Sequence, residues 1–161
     1  SVPAYGWIKT GQEKELKANY GRQRLNINGA INIETLEPTT GFYDTINADS
    51  TMDLFYKIEA KHPDAETIYI IADNARYYHA CLLKDHLEGT KIQLLYLPPY
   101  SPNLNLIKRY WKFFKKTVMH NHYYQTFEQF KQACKNFFRK WKKYLPELKN
   151  LLTENFHIQA V

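Results

Sequence analysis

Asp73 follows directly on Thr67-Ile-Tyr-Ile-Ile-Ala72, an apolar, largely β-branched run that suits a strand covered on both sides. In open α/β sheets, loops and helix N-termini converge at the carboxyl ends of strands, so a carboxylate fixed there is placed for chemistry. A hard divalent cation such as Mg²⁺ takes oxygen ligands of this kind. Asp73 and Asn74 could equally cap a following helix, and the local sequence leaves both roles open. The second chemical feature is charge. Residues 108–143 hold eleven Lys and Arg against one acid, Glu128, so this segment carries +10 and leaves −4 for the rest of a +6 chain. Such polarity points to a polyanion, nucleic acid first, although a solvated helix face has the same signature. His120 and His122 form an HxH pair, but no Cys or acid stands beside them to complete a metal site.

Rigid elements must position these groups. Residues 5–9 read as a short strand. Leu25, Ile27, Gly29, Ile31 and Ile33 alternate with Asn26, Asn28, Ala30 and Asn32, which predicts a half-buried strand. Pro38 to Gly41 should turn the chain and 42–46 should return it, giving an antiparallel meander. Asp49 or Ser50 can cap a helix to about Ala60, with Asp53 as a capping-box partner of Ser50. The run 67–72, a helix over 76–87 stopped by Gly89, and a second buried strand at 92–97 form a crossover unit, which requires parallel pairing. After the stiff Pro98-Pro99-Tyr100-Ser101-Pro102 loop, Ile107, Trp111, Phe114 and Val118 recur at spacings of 4, 3 and 4. That fixes an amphipathic helix whose outer face holds Lys108, Arg109, Lys112, Lys115 and Lys116. A last long helix is expected over 127–144, with Phe127, Phe130, Cys134, Phe138 and Trp141 inward, interrupted by Pro146 and followed by a short tail helix.

Length and composition bound the answer. The 161 residues suit one domain, 1–161, with a basic helical C-terminal part over 108–161. The aromatic fraction of 16% calls for a core or a stacking surface. No apolar run approaches the roughly 20 residues of a membrane span. Cys81 and Cys134 lie in no CxxC or Cys/His spacing and read as free thiols of a reducing compartment, with a single disulfide as the alternative.

Pro98-Pro-Tyr-Ser-Pro-Asn-Leu-Asn-Leu-Ile107 with Trp111 closely resembles the signature after the fifth strand of mariner-superfamily transposases and their bacterial insertion-sequence relatives, the DDE-type enzymes. Ile71-Ala-Asp-Asn-Ala-Arg-Tyr-Tyr-His79 resembles their second-aspartate segment. Tyr5-Gly-Trp-Ile-Lys9 with Gly11 looks like the stretch after their first aspartate, and Arg24 to Ala30 like their next strand. These motifs keep the family's order from residue 5 to about 120. The resemblance implies an RNase H-like fold, a mixed α/β sheet flanked by helices. It also implies three carboxylates binding Mg²⁺ or Mn²⁺ for in-line displacement at phosphorus. Asp73 takes the second-aspartate role as a metal ligand and catalytic residue. Transposon ends and target DNA are the implied partners, a homodimer is compatible with them, and the expected setting is a prokaryotic cytoplasm at the nucleoid, away from membranes.

Two departures qualify this. Only Ser1-Val-Pro-Ala4 precedes the Tyr-Gly-Trp segment, and it holds no acid. The first strand of the fold is therefore expected to be missing, with the sheet centre open or filled by something else. The family's third carboxylate follows the Ile of an Asn-Pro-Ile-Glu segment, and this sequence reads Asn105-Leu-Ile-Lys108. Lys108 is an ammonium at the position of a metal ligand. The expectation is a transposase-derived domain of the cleavage and strand-transfer class, inactive as it stands. The rivals are a DNA-binding remnant, with Arg109, Lys112, Lys115 and Lys116 on phosphate, and another RNase H-like nuclease. The latter would need other acids, of which Asp44 and Asp85 are nearest.

Overall fold

The computed structural model describes residues 4–8, 16–17, 23–72, 81–98 and 106–153. Their strands are β1 (Ala4–Ile8), β2 (Leu16–Lys17), β3 (Arg24–Asn32), β4 (Pro38–Tyr43), β5 (Ile68–Ala72) and β6 (Ile92–Tyr96). The helices are α1 (Ala48–Lys61), α2 (Cys81–Leu87), α3 (Leu106–Val118), α4 (Phe127–Arg139) and α5 (Leu145–Thr153), with a 3₁₀ turn at Trp141–Tyr144 between the last two.

The strands form one mixed sheet in the order β2-β3-β1-β5-β6, with β4 paired to β3. β5 and β6 are parallel, Ile68 opposite Ile92 and Ala72 opposite Tyr96, as the crossover unit requires. Of the two outcomes expected for the sheet centre, the second holds. Ala4–Ile8 fills it, antiparallel to β3 through Ile8 opposite Ala30 and parallel to β5 through Ile8 opposite Ala72.

β6, expected as a buried strand, leaves Gln93 and Leu95 exposed, but across β3 and β5 both faces of the sheet are covered. On one, Ala30, Ile68, Ile70 and Ala72 pack with Met52, Leu54, Phe55 and Ile58 of α1 and Leu83 of α2. On the other, Leu25, Ile27 and Ile31 meet Ile107, Trp111 and Phe114 of α3, Phe138 of α4 and Leu148 of α5. Together the two layers make the expected half-buried β3 a strand buried on both sides at its middle, where Asn28 and Ala30 on the α1 side are also inaccessible.

Several local expectations are corrected. The β3–β4 turn lies at 33–35, earlier than Pro38, because the Asn32 side chain accepts from the backbone N–H groups of Glu34 and Thr35 and Leu36 takes a φ of 63°. Pro38, Thr39, Thr40 and Gly41 then sit within β4, Pro38 opening the strand. Asn47, not Asp49 or Ser50, caps α1: its side chain accepts from Ser50 N–H while Ser50 Oγ accepts from Asn47 N–H. Asp53 instead accepts from Tyr43 Oη at 2.6 Å. The last long helix stops at Arg139 and a 3₁₀ turn follows, which leaves Trp141 half-buried, while Phe137 joins Phe130, Cys134 and Phe138 in the core. Pro146 lies in the first turn of α5, where a missing N–H costs nothing.

Candidate functional site

The carboxyl ends of the two parallel strands are tied together by the Leu97 N–H donating to the Ala72 carbonyl at 2.7 Å. Asp73 is the next residue in sequence and lies outside the described residues, as do the 76–80 part of the helix expected over 76–87 and most of the Pro-rich loop. What the structure describes at this functional end is therefore α3, the element that resumes at Leu106.

The seat of α3 is set by its apolar stripe. Ile107, Trp111, Phe114 and Val118 are buried, as the 4, 3, 4 spacing predicts, and Leu106 and Tyr110 are buried beside them. The indole of Trp111 lies directly on the β3 backbone, where a Cβ at Gly29 would stand 3.0 Å from Trp111 Cζ2. Glycine at this strand position is what allows so close an approach. Phe114 stacks on Phe138 with ring centroids 4.9 Å apart and meets Phe137 edge-on at 5.0 Å.

That packing turns the opposite face of α3 outward. Lys108, Lys112, Lys115 and Lys116 are exposed, as the helical wheel places them. Arg109 departs from the expected outer row: it is half-buried, and its Nη1 is inaccessible with no hydrogen-bond partner. Its angular position beside Phe113, at the border of the apolar stripe, accounts for this. The first turn of α3 contains no acid and two cations, Lys108 and Arg109. A helix N-terminus already presents unpaired N–H groups and positive potential, so this end favours an anion and disfavours a metal cation.

Residues suited to a divalent ion are not gathered in the described part of the protein. No cluster of three His, Cys, Asp or Glu side chains occurs among the described residues. Asp44 follows β4 and Asp85 lies on α2, and neither belongs to such a cluster. His122 stacks against Tyr124 at 6.3 Å. Lys108, at the position where the resemblance implies the third carboxylate, offers no lone pair to Mg²⁺ as an ammonium, so the donor set does not fit the implied ions. Cys134 is a free thiol in the core, its pKa pushed up to about 12 by burial. Among the described residues no helix is long and apolar enough to cross a membrane.

Comparison with known proteins gives this arrangement its context. The insertion element IS630 uncharacterized 39 kDa protein of Shigella sonnei is 24% identical over 132 residues, which are 81% of this chain and 38% of that protein. The chain thus spans well under half the length of this relative. The catalytic domain of Mos1 mariner transposase superposes with a TM-score of 0.66 at 16% identity, covering 94% of this chain and 81% of that one. The HTLV-2 integrase catalytic core, solved in complex with magnesium, gives a TM-score of 0.59 at 10% identity over 85% of this chain and 84% of that one. These likenesses establish the RNase H-like fold of transposase and integrase catalytic domains. A family model described as DDE superfamily endonuclease matches residues 1–131, from before β1 into α4, and the chain belongs to that family.

Proposed function

We propose that this chain is the catalytic-domain portion of a transposase of the mariner and insertion-sequence group, one RNase H-like unit over 1–161 that retains its DNA-holding face. The observation that carries this reading is the exposed cationic row of α3, starting at Lys108, in a chain whose family match covers that helix. Asp73 is assigned the second-aspartate role. Lys108 holds the third-carboxylate position with reversed charge. Arg109, Lys112, Lys115 and Lys116 are assigned to DNA phosphates. The partners are transposon-end and target DNA, with a second copy of the chain compatible with both, and the setting is the bacterial nucleoid.

Divalent ions would supply the activation of an attacking hydroxyl in this family, and the Lys108 ammonium opposes their binding. An opposite-sign replacement near such a site is not mild, since two unit charges at 4 Å interact by about 4 kcal/mol at an effective dielectric of 20. The expected outcome is therefore no Mg²⁺- or Mn²⁺-dependent nicking of transposon-end DNA, with DNA binding retained. Nicking by this chain that Asp73→Ala abolishes would overturn the inactive reading. Loss of all DNA binding would overturn the assignment of the cationic face.

A further inference from the structure

A cleft of about 390 Å³ opens where β3 begins, β4 has just ended and α4 starts. Its floor and walls include Phe42 and Phe127, its cations are Arg24 and Lys131, and Asn26 and Asp44 stand on its polar rim. The Asn26 side-chain amide donates to the Asp44 carbonyl at 2.6 Å, which holds that rim in place. A third cation, Lys135, lies over the Phe42 ring at 5.6 Å from its centroid. Thr126 caps α4 by accepting from Gln129 N–H, so half-buried Phe127 is fixed at the first helical position rather than in a loop.

The register places this cleft relative to the catalytic end. β3 runs antiparallel to β1, and both Ala30 and Ala72 lie opposite Ile8. Arg24 is six residues from Ala30, on the side toward which β1 and β5 run. At about 3.3 Å per residue the cleft is some 20 Å past the carboxyl ends of those strands. DNA advances about 3.4 Å per nucleotide along its axis, so the distance corresponds to roughly six nucleotides.

Size and chemistry select the ligand. The volume lies at the lower end of the roughly 300–1,000 Å³ typical of small-ligand pockets, which a duplex cannot enter. Cations beside an aromatic ring match a phosphate joined to a base, and a carboxylate on the rim can accept from an exocyclic amino group. We infer that this cleft holds one unpaired nucleotide of DNA, its phosphate met by Arg24 and Lys131 and its base laid on Phe127, flanking DNA engaged at the strand ends. The inference rests on the DNA-processing reading above and adds a second contact point to it.

Fluorescence anisotropy on the full chain, with a labelled deoxycytidine oligonucleotide and a labelled blunt duplex as separate probes, tests it. Phe127→Leu keeps apolar packing but removes the π face, and single-strand affinity should fall about ten-fold. Combined Arg24→Ala and Lys131→Ala should lower the single-strand salt slope by about 0.7, the value for one phosphate. Duplex affinity should stay within about two-fold in both variants. Single-strand affinity unchanged in both, with duplex binding still dependent on Lys112, Lys115 and Lys116, would remove the cleft and leave the DNA-processing reading standing. Binding of neither probe by the unmodified chain would remove both.

Discussion

Replacing Lys112, Lys115 and Lys116 together by Ala tests whether α3 presents a phosphate-binding face. All three are exposed on one helix, and Lys112 and Lys116 are separated by about 6 Å along the axis at 1.5 Å per residue, far enough to engage different phosphates. Each phosphate neutralised on duplex DNA contributes about 0.9 to the slope of log affinity against log salt. At about 0.1 M salt that release is worth about 1.2 kcal/mol per contact, so three complete contacts amount to about 3.7 kcal/mol, or roughly 500-fold. The expected result is a slope reduced by two to three and affinity weakened by at least about thirty-fold if contacts are partial. The assay is anisotropy titration of a labelled duplex across about 50 to 200 mM KCl, with circular dichroism confirming the fold. Lys84→Ala, on α2 against the opposite face of the sheet, serves as the control and should stay within about two-fold. An unchanged slope in the triple variant refutes the reasoning, because no other property of these side chains would mask the loss of three counterion-releasing contacts.

Phe114→Ala should destabilise the protein by about 3–5 kcal/mol, since a side chain only 1% exposed and packed on three rings leaves a cavity on removal. In urea the midpoint should fall by about 1.5–2 M, whereas Tyr123→Ala, at 73% exposure, should barely move it; a shift below about 0.5 M for Phe114→Ala contradicts the packing described. The Tyr43 hydroxyl, with Lys57 at 3.3 Å adding to it, holds the Asp53 carboxyl below the usual carboxylate range. Because the folded-state pKa is depressed, the contribution to stability is present above the ordinary carboxylate value and is lost as pH falls through the lowered one. Tyr43→Phe should therefore move the Asp53 carboxyl titration, followed by NMR, upward toward the ordinary value; coincident titrations in the two proteins contradict the hydrogen bond.

Legibility of the sequence followed how local each determinant is. α3 was readable because an entire stripe, Ile107, Trp111, Phe114 and Val118, repeats at helical spacing and nothing distant competes with it. The parallel pairing of β5 and β6 was readable because a short crossover permits no other arrangement. The β3–β4 turn was misread because Pro38 and Gly41 are strong punctuation, while the determinant was the side chain of Asn32 bonding two residues onward. Asn28 and Ala30 looked solvent-facing by alternation alone, and only the docking of α1 on the second face of the sheet buries them. Trp141 leaves the apolar face because the helix ends at Arg139 and the 3₁₀ turn breaks its phase, while Phe137 is buried beside Phe138 by the rings of Phe113, Phe114 and Tyr144. At the functional end, the cationic row was visible in sequence, but the half-burial of Arg109 depends on neighbours that periodicity does not name. The cleft at Phe127 was invisible for a similar reason, since its walls come from segments more than eighty residues apart.

The contact between Trp111 and Gly29 has a consequence for how this protein could have changed over time. It anchors α3 through the middle of the helix, one turn away from Lys108, and the core on that face contains no atom of the residue at 108. Residue 108 thus stands apart from the apolar packing that seats the helix, and exposed substitutions away from such packing usually shift stability by no more than about half a kcal/mol. Lysine and glutamate codons differ by one nucleotide. A change of sign at this position therefore leaves the apolar seat of α3 in place.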